Sequence, residues 1–388
     1  MQALKLKLDT LCIFRELLSD AVISALRIFL DAPSPSAYAE FVSAIYEKNG
    51  GNISLYVKEL CENSENVYVK TIGRGETPPD YMQACLDYEL SVLQEVASLT
   101  KAALSGMLNN PGFLPDFGSS DIPICESYHE RTRNIQKYGY GIYAKNRMFR
   151  VDAADRIVPV ANPDKTTLSQ LVDYEYERGV IFDNTKALLE GKPAANILLT
   201  GDAGTGKSST VKAVANALWQ EGLRIVEIRK EQLRAIPKIL DELSENPLKF
   251  VLFIDDLSFL KDDDHFNGLK AVLEGSVTEK SSNVVIYATS NRRHIVKESF
   301  SDREGDDIHR NETIQELVSL SERFGIHLTF SKPNKTTFLH IVHHLATEKG
   351  IDMESTELEL LAERFALARG GRSARLAQQF IDGLLSGS

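Results

Sequence analysis

The chain has 388 residues, 43% of them hydrophobic, and a formal net charge of −11, which is length enough for two or three domains with cores of their own. That acidity argues against a surface given over wholly to nucleic acid, and no stretch nears the roughly 18 uninterrupted apolar residues of a membrane span. The opening MQALKLKLDTLCIFRELLSD carries acids and arginine where a secretory core would be apolar, so a cytoplasmic protein with no membrane partner is expected.

Residues 4 to 47 place apolar side chains at helical spacing (Leu4, Leu8, Leu11, Phe14, Leu18, then Val22, Leu26 and Phe29), interrupted by the turn APSPS at 32 to 36. Gly50 and Gly51 and the turn GRGETPP at 73 to 79 separate further helical stretches, the last being YMQACLDYELSVLQEVASLTKAALSGML. Residues 1–110 are thus expected to form an all-helical N-terminal region. The four cysteines, Cys12, Cys61, Cys85 and Cys125, lie far apart in the sequence with no CxxC spacing; buried thiols are expected, rather than a zinc site or a disulfide framework.

From NNPGFLPDFGSSD the chain turns polar, and YGYGIYAKNRMFRVDA reads as a short β hairpin within a linker, 111–165. Arg131, Arg133, Lys137, Lys145, Arg147 and Arg150 are interleaved there with Tyr138, Tyr140, Tyr143 and Phe149, with no acid between 131 and 150. Such a composition suits either a backbone-tracking, base-stacking nucleic-acid surface or docking on the acidic remainder through ion pairs; docking is favoured, and DNA stays the less favoured partner.

After residue 166 buried-type strands ANILLT, RIVEIR, FVLFID, VVIYATS and IHLTF alternate with helical stretches, predicting an α/β fold with a parallel sheet and helices on both faces. GDAGTGKSST sits between the first strand and a helix, and Gly201, Gly206, Lys207 and Ser208 satisfy G-x-x-x-x-G-K-[ST] in the context that motif needs. Glycines let the backbone curl round a phosphate and aim N–H groups at it. The cradle comprises Gly201, Asp202, Ala203, Gly204, Thr205, Gly206, Lys207, Ser208 and Ser209, with Lys207 reaching the β- and γ-phosphates and Ser208 ligating Mg2+. FVLFIDDLSF ends a strand in two acids: Asp255 fits the magnesium-holding role, directly or through water, and Asp256 stands where a water-polarising carboxylate would. Asp256 is one methylene shorter than the glutamate common there, so slow hydrolysis is anticipated.

Residues 166–388 resemble an AAA+ ATPase module. VVIYATSN resembles its sensor-1 strand, which would set Asn291 beside the γ-phosphate. LSERFGIHLTF resembles the segment whose arginine serves a neighbouring subunit, making Arg323 the candidate finger, and GGRSARLAQQFIDGLL resembles the sensor-2 helix, with Arg375 the best match and Arg372 the fallback. LSQLVDYEYERGVIFDNTKALLEG resembles the linker that packs near adenine, with Val172 and Asp173 as contacts. The resemblance implies a nucleotide-binding core at 166–332 and a helical lid at 333–388. More narrowly, GDAGTGKSS, LFIDDLSF and YATSNRRHIV, with a helical N-terminal region, resemble a family of bacterial AAA+ proteins catalogued only as a domain of unknown function.

Other groupings point less far. His340, His343 and His344 have metal-like spacing but no readable fourth ligand and are expected on a lid-helix face; KDDDH at 261 to 265 and SDREGDDIHRNE at 301 to 312 are expected as surface loops. An ATP- and Mg2+-dependent ATPase is therefore expected, forming a homo-oligomer and remodelling a protein partner gripped by the N-terminal region. The alternative is a loader-like or switch-like ATPase that assembles on DNA with slow turnover.

Overall fold

The computed structural model describes residues 2–109, 112–257, 282–291 and 322–386, with Leu269 and Leu273. It divides into two compact units, Met1–Lys145 with Glu245–Leu248, and Asn146–Ser244 with Lys249–Ser388. Among the described residues no helix is long and apolar enough to cross a membrane.

In the first unit, polar caps set where each helix begins. Asp20 accepts from the N–H groups of Val22 and Ile23 to start Ala21–Asp31, Ser34 caps Pro35–Tyr46 with proline at its first position, and Asn52 and Asn66 cap Ile53–Asn63 and Val67–Gly73. The long stretch read as one helix from Tyr81 is two, Asp80–Ala97 and Lys101–Ser105, because the Thr100 side chain caps the second. Leu4, Leu8, Phe14, Leu26, Phe29 and Phe41, all 1% exposed or less, lie in its core. The expected hairpin lies farther along than YGYGIYAKNRMFRVDA suggests: Ile135–Tyr138 and Ile142–Lys145 are helical, separated by Gly139 and Gly141 at φ 67° and 59°.

One carboxylate is unusually committed. Glu89 is 1% exposed and accepts from the backbone N–H groups of Cys12 (2.7 Å), Ile13 (3.1 Å) and Phe14 (2.9 Å), holding the turn after helix Gln2–Asp9 against helix Asp80–Ala97. Burial works to raise its pKa, but the N–H donors outweigh it and the net shift is downward. Its contribution to stability is thus present at neutral pH and is lost as pH falls through that lowered value. Glu89→Ala leaves three donors unmatched and is expected to cost about 3 kcal/mol, measured as a shift in the urea midpoint followed by far-UV circular dichroism.

In the second unit a seven-stranded sheet runs in the order β2-β1-β4-β5-β6-β3-β7. Its strands are β1 (Met148–Val151), β2 (Ile157–Pro159), β3 (Ile197–Gly201), β4 (Leu223–Ile228), β5 (Lys249–Ile254), β6 (Val284–Ser290) and β7 (Ile326–Phe330). Among the described residues every pairing in this sheet is parallel except the hairpin β1–β2. The hairpin is no free-standing linker element: β1 pairs in parallel with β4, Met148 opposite Ile225. β6 lies between β3 and β5, so the ends of all three strands meet at one edge of the sheet. Lid helices Lys335–Glu348, Ser355–Ala368 and Ala374–Ser386 close round their own core of Phe338, Val342, Ala362, Ala377 and Ile381.

Candidate functional site

β3 runs into the glycine-rich turn, which leads into helix Lys207–Leu218. Gly201, Gly204 and Gly206 take φ of 139°, 79° and 93°, a region that disfavours any residue with a Cβ. Space demands glycine as well: a Cβ on Gly201 would run into the Phe330 carbonyl at the end of β7, and one on Gly204 would crowd Arg375 and Ser373 of the lid.

Lys207 is 5% exposed, and its ammonium donates to the carbonyl oxygens of Gly201 and Asp202, both at 2.8 Å, and to Asn291 Oδ1 at 3.2 Å. Burial pushes its pKa down, the nearby Asp202, Asp255 and Asp256 carboxylates push it up, and Arg375 adds a smaller downward push; the net direction is down. An anion arriving at the turn would relieve that desolvation.

A continuous hydrogen-bonded chain joins the strand ends. Ser208 Oγ donates to Asp255 Oδ1 at 2.7 Å, and Thr289 Oγ1 donates to the same oxygen at 2.6 Å while accepting from the Asp256 N–H at 2.9 Å. Asn291 Nδ2 donates to Asp256 Oδ1 at 2.7 Å, and Asn291 Oδ1 closes the chain back onto Lys207. Asp256 itself sits at φ 56°, a left-handed conformation uncommon for a side-chain-bearing residue and often kept at functional sites. Thr289 did not stand out in the sequence, where it reads as one more β-branched strand residue; its signal was a hydroxyl two positions before Asn291 at the end of an apolar strand.

These groups line a cleft of about 810 Å³. Val172, Asp173, Asp255, Asp256, Asn291 and Arg375 all face it, as does the turn from Ala203 to Ser209, while Gly201 and Asp202 stand behind and offer their carbonyls to Lys207. Apolar Ile341 and Leu345 and polar Gln378 come from the lid. Asp173 Oδ1 lies 3.3 Å from His340 Nδ1, and its buried Oδ2 has no hydrogen-bond partner among the described residues. Arg372, the fallback for Arg375, is committed elsewhere, donating to both oxygens of Glu363 at 2.7 and 2.5 Å.

Arg323 is not among the residues lining the cleft. It precedes β7, whose first residue Ile326 pairs with Ile197 at the start of β3, whereas Phe330 pairs with Gly201 at the phosphate turn. At about 3.3 Å per residue, the start of β7 lies on the order of 13 Å back along the strand direction from that turn, and Arg323 comes three residues before that start.

The histidines do not converge, since His340 faces Asp173 and His343 lies 2.9 Å from Glu359. The loops KDDDH and 301–312 lie outside the described residues. In the basic stretch, Arg131 pairs with Glu62 at 3.7 Å and stacks over Tyr138, Lys145 pairs with Glu59, and Tyr140, Tyr143 and Phe149 are buried. Those two ion pairs, expected to reach the acidic C-terminal module, are instead made with acids of the helical unit, Arg147 donates to the Asp164 carbonyl at 3.4 Å within the second unit, and those three rings are not presented for base stacking. The cysteines also depart from expectation: only Cys61 is fully buried, and Cys12 and Cys85 are in contact despite their separation in the chain.

A parallel sheet with the phosphate turn on β3, paired acids after β5, a polar residue after β6 between them, and a helical lid over the same edge define a P-loop module of the AAA+ type. The chain belongs to the family described as "Protein of unknown function (DUF815)", whose family model matches residues 144–388. Among solved structures it is similar to the RuvB Holliday junction branch migration motor of Thermotoga maritima, at 16% identity and a TM-score of 0.39 over 57% of this chain. A lysine-to-arginine mutant of that motor matches at 15% identity, a TM-score of 0.39 and 57% coverage. The likeness spans 64% and 65% of those chains, less than two thirds of either. No curated protein matches the chain.

Proposed function

We propose that the protein binds ATP with Mg2+ and hydrolyses it, at a site completed by a second copy of the chain, and that its nucleotide state drives assembly or remodelling of a macromolecular partner. The observation that carries this is the meeting of Ser208 Oγ and Asp255 Oδ1 at 2.7 Å beside a glycine turn of the right conformation. Hydroxyl and carboxylate oxygens are the hard donors that suit Mg2+. The rest of the cleft suits the nucleotide: backbone N–H groups at a helix start for phosphate, the apolar Val172, Ile341 and Leu345 for a base, and the unmatched Asp173 Oδ2 for a ring amino group.

Held by Ser208 and Asp255, the metal would supply charge neutralisation at the β- and γ-phosphates. Lys207 exchanges backbone carbonyls for phosphate oxygens. Asn291 orients the Asp256 carboxylate, which accepts the proton of the attacking water. Arg375 approaches from the lid, and the distance of Arg323 from its own turn supports action on a neighbouring chain.

A switch-like version with slow turnover has one observation in its favour: the short Asp256 side chain is already engaged by Asn291. The test is phosphate release from ATP as a function of protein concentration. Magnesium-dependent turnover whose specific activity rises with concentration is expected; absence of turnover at every concentration would sink the hydrolytic reading.

A further inference from the structure

Outside the ATPase unit, Cys12 and Cys85 bring two nucleophilic side chains together. Cys12 lies in the turn after helix Gln2–Asp9, and Cys85 lies on helix Asp80–Ala97. Their Sγ atoms are 3.2 Å apart, although 73 positions separate them in sequence. Neither thiol is needed to hold the two segments together, because Glu89, one helical turn beyond Cys85, grips the backbone of Cys12, Ile13 and Phe14. A disulfide is about 2.05 Å long, so the sulfurs need to close by only about 1.1 Å. Cys12 is exposed and Cys85 half-buried behind it.

We propose that Cys12 and Cys85 form a reversible dithiol–disulfide modification site whose oxidant is a low-molecular-weight disulfide of the glutathione type. The Cys12 thiolate attacks one sulfur of the small disulfide, whose S–S bond breaks and releases one small thiolate. Cys85 then attacks the Cys12 sulfur of the mixed disulfide, giving up its proton and expelling the second small thiol. The protein loses two electrons and two protons, and the small disulfide takes them up as two thiols. Exposure sets the order. Burial, with hydrogen bonds to Cys12 and Glu89, pushes the Cys85 thiol up to about 12, which keeps it protonated and makes it the resolving partner.

Metal binding is the competing use, since ligand atoms of Cys12, Cys85 and Glu89 lie within 4.8 Å of one another. The Glu89 carboxylate, however, already accepts three backbone N–H groups and the Cys85 thiol at 3.3 Å. That leaves two thiols, short of the three or four protein ligands of a zinc site. The cross-link would instead close a long loop and restrict the unfolded chain.

The experiment uses the full chain equilibrated in buffers of oxidised and reduced glutathione, read by intact mass and peptide mapping. A loss of about 2 Da, mapped to a Cys12–Cys85 linked peptide and reversed by dithiothreitol, is expected. A rise of several degrees in the unfolding midpoint should accompany it. Cys12→Ser and Cys85→Ser should each stop the loss while Cys125→Ser leaves it; the wild-type mass is informative whether or not a variant folds. A stable glutathione adduct on Cys12 beside a free Cys85, a cross-link between other cysteines, no oxidation at any glutathione ratio, or stoichiometric zinc that shields both thiols would each overturn the proposal.

Discussion

Lys207→Ala is expected to lower ATP turnover by at least about 100-fold and to weaken nucleotide binding with it. The argument rests on what the ammonium does without a ligand. It is nearly buried, its pKa is pushed down by that burial, and it is held by two backbone carbonyls and Asn291. Phosphate oxygens are stronger acceptors for a cation than carbonyls and would also relieve its desolvation. Alanine leaves those carbonyls without their donor and lets Asn291 drift from Asp256, so binding and water positioning should fail together. Titration with a fluorescent ATP analogue and a phosphate-release assay measure the two losses. An unchanged circular dichroism spectrum and thermal midpoint separate a lost site from a lost fold. Turnover within a few-fold of wild type would remove Lys207 from the site.

Arg323→Ala is expected to reduce turnover by about 1,000-fold while leaving nucleotide binding within a few-fold. The pairing of β7 with β3 puts Arg323 beyond the end of the strand opposite the glycine turn of its own chain, which is why the proposed function gives it a role on a second copy. An equimolar mixture of Arg323→Ala and Lys207→Ala chains should then regain activity that neither has alone. Random assembly in a head-to-tail ring gives about a quarter of interfaces an intact turn facing an intact arginine. Recovery near that fraction supports a shared site. A silent Arg323→Ala, or a mixture as inactive as its parts, removes the arginine from that role.

The parts of this molecule legible in the sequence are those whose meaning is local. The glycine turn, the acids after β5 and the asparagine after β6 each carry their chemistry within a few residues, and the five core strands show as apolar runs. Features made by distant residues did not show. Nothing near 148 indicates that β1 lies parallel to β4, because parallel partners are chosen by tertiary packing rather than by a turn between them. Thr289 was hidden because a buried threonine in a strand looks like packing until Asp255 and Asp256 are placed on either side of its hydroxyl. The Cys12–Cys85 contact depends on Glu89, a buried acid in a helix whose pattern gives no hint of what it holds.

The position of β1 also decides what the smallest self-sufficient version of the second unit is. β1 covers one side of β4, and β2 in turn covers β1. A fragment that began at the polar stretch around 166 would retain every residue of the cleft yet leave the β4 backbone N–H and C=O groups that face β1 without a neighbour. Its burial pattern is almost wholly inward, so such a fragment would present a sticky apolar edge ready to pair with another chain. The family match begins at 144, just ahead of β1, and the hairpin is accordingly part of the sheet's casing: a protective selvedge that stops it from unravelling into its neighbours.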